Sequence, residues 1–382
     1  MTERGILVLV VLGALGLGLV IALLRIKSEA ARRKLLRAFG LLIMTVYSLV
    51  TLFPFYALFI RSFVSTRDSA ELHLWIPKAA EVDLDAQVGN LAVFYNLDLK
   101  QMKQDLGIPK GKVLGARDTL REVAQKYNIP EEKIRDYFKN FYTFNGWYTL
   151  LGGQLQGTTF WSALIRTLIV AFVSLGVLIV LSIFTGYGLA GLRRKDQMYV
   201  YNTYLLQMVI PVMLIILPQY QMFQWLFNVI PGYDIQNGLV RGVLQLLALI
   251  LINIKGTALS TMIFTSSISA IPRDLEESAM IDGAGRFQYV RHILLPLLKV
   301  PIVSLTVIQL PLFYNQFLEP YVYTDPGNST LLPFIQSTVG QFSTNFQVIY
   351  SGIFASVLPL VIVYLIFRRF FVEGVMAGAI KG

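Results

Sequence analysis

Residues 160–190 read FWSALIRTLIVAFVSLGVLIVLSIFTGYGLA, with Arg166 the one charged group among them. A bilayer core about 30 Å thick needs about 20 apolar residues in a helix, so this stretch reads as a membrane span. Six further segments pass the same test: 5–24, 40–63, 199–225, 239–265, 297–318 and 347–367. The composition agrees. Of 382 residues 55% are apolar and 15% charged, and mean hydropathy is +0.60, against about 25% charged in an ordinary soluble domain. A chain so poor in charge cannot hydrate its whole surface. Disorder and a collagen-like fibre are excluded, and the absence of cysteine excludes a disulfide-stapled fold while leaving the redox compartment open. Segment 5–24 reads as a retained anchor and not a cleaved signal. Its apolar run is long, only Arg4 precedes it, and no small-x-small pattern comes before the basic cluster.

The net charge of +10 is asymmetric along the chain. Alternating the spans places Arg25, Lys27, Arg32, Arg33, Lys34 and Arg37 on one side, with Arg193, Arg194, Lys195, Arg273, Arg286, Arg291, Lys299, Arg368, Arg369 and Lys381. The short segments of the other side keep Arg4, Arg61, Arg166 and Arg241, and the long segment 64–159 balances twelve basic against twelve acidic residues. The basic excess marks the cytoplasmic side, putting the amino terminus outside and the carboxyl terminus inside. The charge is thus a topology signal and not a nucleic-acid footprint. The expected organisation is 1–39, an anchor and a basic cytoplasmic loop; 40–63, a span; 64–159, an external, mainly helical insert; and 160–382, a membrane core ending in a cytoplasmic tail, 369–382.

Within the insert, Thr119-Leu120-Arg121-Glu122 has capping-box spacing, and Leu120, Val123, Ala124 and Tyr127 share a helical face. Pro130 opens a second helix with Ile134, Phe138 and Phe141 on one side. Thirty-two residues earlier Tyr95-Asn96-Leu97 echoes Tyr127-Asn128-Ile129, and Met102 echoes Ile134. Two copies of a small helix-turn-helix unit explain the echo; so does chance. The bland role for the insert is a cap on the outer face.

The loop at 271–296 carries the functional signal. It runs Ile271-Pro272-Arg273-Asp274-Leu275-Glu276-Glu277-Ser278-Ala279-Met280-Ile281-Asp282-Gly283-Ala284-Gly285-Arg286 and ends His292-Ile293-Leu294-Leu295-Pro296. Two short helices around a glycine turn are expected. Pro272 suits a first helical position, and Asp274, Glu276 and Glu277 suit the positive amino-terminal end. Gly283 falls where a left-handed cap belongs. Phe287, Val290 and Leu294 form one face of the second helix, which Pro296 stops. An ordinary amphipathic connector is the bland alternative.

This loop resembles the Glu-Ala-Ala loop of the membrane subunits of ABC importers that work with a binding protein. Glu277-Ser278-Ala279, then Gly283 after three residues, then Ile293-x-Leu295-Pro296 after nine, match its spacing, with Ser278 in place of alanine. Phe160–Leu168 is similar to the start of the permease core, and Gly374–Gly382 to the tail of MalG-type subunits of maltose and maltodextrin importers. The resemblance covers 40–63 and about 160–382, and leaves the first span and 70–155 outside it. It implies an all-α membrane protein of about seven transmembrane helices, a six-helix type I ABC importer permease core plus an extra N-terminal span.

Roles follow from the resemblance residue by residue. Glu276, Glu277, Ser278, Ala279, Asp282, Gly283, Ile293, Leu295 and Pro296 would form the coupling loop that docks on a cytoplasmic ATPase, Glu277 pairing with a basic residue there. Gly378, Lys381 and Gly382 would reach the ATPase from the tail; a disordered terminus is the alternative. Gln341, Phe342, Ser343, Thr344 and Asn345 hold the position of a loop that enters the binding protein. The implied partners are a second, MalF-like permease subunit, a homodimeric ATPase, an extracytoplasmic sugar-binding protein and the lipid bilayer, with no nucleic acid. The chain would bind no cofactor and catalyse nothing, ATP-Mg belonging to the ATPase. The implied cargo is a maltose- or maltodextrin-type oligosaccharide, with a polyol or a phosphorylated sugar as alternatives.

Other features read from the residues alone. Lys255, beside Asn253, is a charge deep in a span: it faces a polar pathway, or the span's boundary is misplaced or the side chain snorkels. Pro211, Pro218, Pro301 and Pro311 bend helices around a cavity or for packing. His73 and His292 are too few and too far apart for a metal site. The stretch 107–113 is one residue short of a phosphate-binding loop and ends in Val113. An ion-coupled secondary transporter, a competing class, needs intramembrane acids; Glu319 lies at a span's end and none lies within one. A membrane-anchored sensor, the third class, leaves five spans unexplained.

Overall fold

A computed structural model describes residues 28–64, 74–76, 82–95, 99–109, 111–153, 157–235, 238–255, 258–339 and 345–379. The chain divides into two compact units, 1–58 and 59–382. Every named element among the described residues is helical. The expected first span, 5–24, lies outside the described residues.

Helix α1 is Glu29–Arg61. It begins well before the expected residue 40, so Arg32, Arg33, Lys34 and Arg37 form helical turns and not a loop. The insert follows as α2 (Val88–Tyr95), α3 (Leu99–Asp105), α4 (Leu120–Tyr127) and α5 (Glu131–Gly152). The membrane domain has α6 (Phe160–Ala190), α7 (Arg194–Val209), α8 (Val212–Phe227), α9 (Leu239–Asn253) and α10 (Ala258–Ser269). Then come α11 (Asp274–Ile281), α12 (Arg286–Leu297), α13 (Lys299–Tyr314), α14 (Leu318–Tyr323), α15 (Leu331–Ser337) and α16 (Phe346–Ala379).

By length and composition α1, α6 and residues 346–368 of α16 can cross a membrane, and the bent pairs α9/α10 and α12/α13 bring the number to five. Two expected spans are corrected. Segment 199–225 is broken, Ile210 and Pro211 being extended between α7 and α8. Proline disfavours helical backbone at the residue before it and offers no N–H. Segment 239–265 is broken after Asn253. The bend expected from Pro301 falls instead at Leu298, where α12 and α13 meet at 67°.

Helix α6 is the hub, packing against α9, α10, α13 and α15. Its buried face is rich in small residues, Ala163, Thr167, Ala171, Ser174, Ser182 and Gly186. Between apolar helices in lipid there is little hydrophobic drive, and close backbone approach supplies the contact. At Gly186 a Cβ would stand 2.8 Å from Phe264 Cβ. A second cluster joins α6, α8, α9 and α14 through Val170, Phe223, Leu249 and Tyr323. Beside it, Arg241 and Asp325 pair at 2.6 Å in a mostly buried site, with Arg241 also over the Tyr233 ring.

The insert has its own core, and the 32-residue echo is real in three dimensions. Val88 and Leu120, Leu91 and Val123, Met102 and Ile134, and Leu106 and Phe138 are matched, buried pairs. The two copies meet across one antiparallel bridge, Gln87 to Thr119. Val88 N–H donates to Asp118 O and Leu120 N–H to Ala86 O, while Gly89 N–H donates to Ala116 O and Arg121 N–H to Leu84 O. Each bond maps onto its mate by a shift of 32, so the copies are related by a local two-fold. The expected capping box at Thr119 and Glu122 is present, and Asn128 closes α4 in the left-handed conformation. Phe141's side chain lies outside the described residues.

Candidate functional site: an acidic elbow and a polar break

Helix α11 carries its acids in the first turn, Asp274, Glu276 and Glu277, where the positive end of the helix favours them. It ends as the sequence demands. Gly283 has φ +84, Ala284 N–H reaches back to Ala279 O at 2.9 Å, and Gly283 N–H to Met280 O at 3.1 Å. This is the paired closure of a left-handed glycine cap. Gly285 then starts α12, its N–H held by Gln288 Oε1 at 2.7 Å.

The expected face of α12 is corrected. Leu294 is buried and Val290 half-buried, but Phe287 is 74% exposed and Tyr289 is buried instead. The cause is a π-turn over Val290–Leu294, with Leu295 N–H donating to Val290 O. The extra residue in that turn brings Tyr289 and Leu294 onto one face at a spacing of five. Pro296 does not stop the helix; it lies within α12, and the corner is one residue past its end, at Leu298.

The elbow's inner side is thereby anchored and its outer side is open. Ala279 is buried and packs in the same cluster as Tyr289, Leu294 and Leu298. Glu276 accepts a hydrogen bond from the Tyr187 hydroxyl of α6. Glu277, Ser278 and Asp282 are exposed, as is Pro296; Ile293 and Leu295 are half-buried. Ile281 at 85% exposed and Phe287 add apolar surface beside the acids. Sequence reasoning grouped Glu276 with Glu277, whereas their neighbours differ: Glu276 faces the membrane domain and Glu277 faces away.

The second site is the break after α9. Asn253 is buried, its Nδ2 donating to Gln316 Oε1 at 3.0 Å and to Ser174 Oγ at 3.3 Å, and Gln316 Nε2 returns a bond to Asn253 Oδ1 at 2.7 Å. Lys255 lies in the break itself and is not enclosed in a helix. Gln316 escaped the sequence reading because its partner is 63 residues away.

Of the expected outer loop, Asn345 is described, and its Oδ1 accepts the Val348 N–H at the start of α16; Gln341, Phe342, Ser343 and Thr344 lie outside the described residues. So do Lys381 and Gly382, while Gly378 is in the last turns of α16. His73 also lies outside. His292 is exposed, with Nδ1 3.1 Å from Gln288 O.

The model of the binding-protein-dependent transport system inner membrane component matches residues 149–376, from the end of α5 through the elbow into α16. The chain belongs to that family. This inner membrane component is 28% identical over 220 residues to a permease, AmyC, of a starch degradation products transport system of Thermoanaerobacterium thermosulfurigenes, covering 56% of this chain and 74% of the relative. It is 25% identical over 238 residues to the Bacillus subtilis (strain 168) permease AraQ of an arabinooligosaccharide system, covering 62% and 78%. Over 128 residues it is 34% identical to the Thermococcus litoralis permease MalG of a trehalose/maltose system, covering 32% and 45%. Its fold is similar to that of a chain in a bacterial ABC transporter that imports alginate (TM-score 0.56, 13% identity, 91% of this chain and 99% of the other). The component is therefore a multi-pass permease of the inner membrane.

Proposed function

We propose that this permease is one half of the membrane pathway of an ATP-driven carbohydrate importer, and that its elbow is the point where a separate ATPase pushes. The observation that carries this is the elbow's two-sidedness. Ala279, Tyr289 and Leu294 tie it to the spans, while Glu277 and Ile281 before the glycine-capped turn and Phe287 after it stand exposed. A rigid knob of this kind transmits force as rigid-body rocking of the helices. ATP binding and hydrolysis belong to the partner, a homodimeric ATPase, and a MalF-like permease supplies the other half of the path. A sugar-loaded binding protein docks on the outer side, against the loop containing Gln341–Asn345, and the tail with Gly378, Lys381 and Gly382 contacts the ATPase. The amino terminus is outside and the carboxyl terminus cytoplasmic.

The names of several relatives support an oligosaccharide; within that class the proposed cargo is a maltodextrin-type chain, with a polyol or a phosphorylated sugar as the alternatives. Glu277→Lys reverses the charge on the open side only. It is expected to abolish uptake and receptor-stimulated ATP hydrolysis while the protein still inserts and accumulates in the membrane. Wild-type uptake by that variant would refute the docking role.

A further inference from the structure

We propose that the cleft between α7 and α10 is a binding site for a ring-shaped, polyhydroxylated solute inside the membrane domain, an inference that rests on the carbohydrate reading above. The cavity measures about 500 Å³, inside the usual range of small-molecule sites, about 300–1,000 Å³. Tyr201 and Asn202 of α7 and Met262, Thr265 and Ser269 of α10 line it, with Arg194 at its rim.

Thr265 is the telling residue. It is 2% exposed, and its Oγ1 is buried with no hydrogen-bond partner. Elsewhere in these helices hydroxyls close on their own backbone: Thr167, Thr185, Ser266 and Thr306 each donate to the carbonyl four residues back. That is the ordinary refuge of a hydroxyl in a membrane helix. Thr265 does not take it, which leaves a buried, unpaired hydroxyl on a residue that lines the cleft. Asn202 and Ser269 are exposed on the same cleft. Polar groups at membrane depth are costly against lipid and are met where helices line a polar path. The flat Tyr201 ring and the Met262 thioether suit the C–H faces of a sugar ring, and the amide and hydroxyls suit its O–H groups.

The sequence contains no cysteine, so Asn202→Cys and Ser269→Cys each introduce a lone thiol. These are placed in the complete transporter in inner-membrane vesicles and challenged with a charged, water-soluble methanethiosulfonate. The protecting sugar is whichever of maltotriose, raffinose or arabinotriose the wild type transports. Both thiols should react, and saturating sugar should slow the reaction at least threefold. In the double variant Ser269→Cys/Thr265→Val the sugar concentration for half-protection should rise at least fivefold, with the unprotected rate unchanged. Thiols reached only by a membrane-soluble maleimide would mean that lipid fills the cleft, and protection that ignores sugar or Thr265→Val would equally overturn the site. If the wild type moves none of the three sugars, the carbohydrate reading fails first and the site with it.

Discussion

Gly283 and Gly186 are both glycine for different physical reasons, and substitution separates them. At Gly283 nothing lies within 4 Å of where a Cβ would be, so Gly283→Ala meets only the left-handed backbone at φ +84. That costs about 1–2 kcal/mol, confined to the elbow. At Gly186 the backbone is ordinary helix, but the added carbon would crowd Phe264 Cβ at 2.8 Å and Phe264's carbonyl carbon at 3.0 Å. Forcing a methyl into so tight a crossing costs about 1–3 kcal/mol, borne by the α6–α10 contact. Thermal denaturation of the detergent-solubilised transporter should therefore show the larger loss for Gly186→Ala, while stimulation of ATP hydrolysis should suffer more in Gly283→Ala. The reverse ranking would mean that the elbow is not an independent joint. Gly283 was legible in the sequence because an acidic helix start, a glycine and a second apolar helix are all local signals. Gly186 was not, since its partner Phe264 lies on another helix, and neither was Tyr187 as the anchor of Glu276.

The two helical hairpins of the insert behave as one element. A faint echo of Tyr-Asn and two apolar positions was all the sequence offered, because the copies preserve which positions are buried and not which residues fill them. Met102 and Ile134 hold the same place in each copy and are both fully buried. Met102→Ala and Ile134→Ala should each cost about 2–5 kcal/mol, and amide exchange of the full chain should report faster exchange across both copies in either variant. Faster exchange confined to the mutated copy would mean two separate units. An acid dependence belongs to the same element. Asp85 accepts a 2.7 Å hydrogen bond from Arg121 across the bridge, and that bond, with Arg121's charge, holds the carboxyl below its ordinary value of 3.8. A lowered folded-state value means the contribution is complete above 3.8 and is lost as pH falls through the lowered value. Asp85→Asn should flatten the insert's exchange between pH 5 and pH 2, where the parent loosens. The breaks at Pro211 and Asn253 belong to this scale too. Proline announced the first; Asn253 and Lys255 marked a polar interruption at the second, but apolar residues continue on both sides and the Asn253–Gln316 pair forms only in the folded helices.

Helix α5 joins the scales. Ile134 and Phe138 near its start sit in the insert's core, and Leu150 near its end sits in the core of the membrane domain. Between them Gly146 N–H donates to Gln347 Oε1 at 3.1 Å, and Trp147 Nε1 to Ser62 Oγ at 3.2 Å. One continuous helix of 22 residues spans about 33 Å, so the insert cannot swing against α16 without bending α5 or lifting it from its seat. The seat depends on Gly146, where a Cβ would lie 2.6 Å from Gln347 Cγ and 2.8 Å from its carbonyl carbon. Backbone cannot yield there as a flexible side-chain tip would, so Gly146→Ala must move α5 outward. In amide exchange on the complete transporter, residues 147–153 and 346–351 should exchange at least tenfold faster, about 1.4 kcal/mol of lost protection. Residues 82–134 should stay at the parent rate, because their core does not touch the seat. Acceleration in the insert as well would show that its two hairpins lean on the membrane domain for stability; no change at either place would show that α5 is not the rigid link.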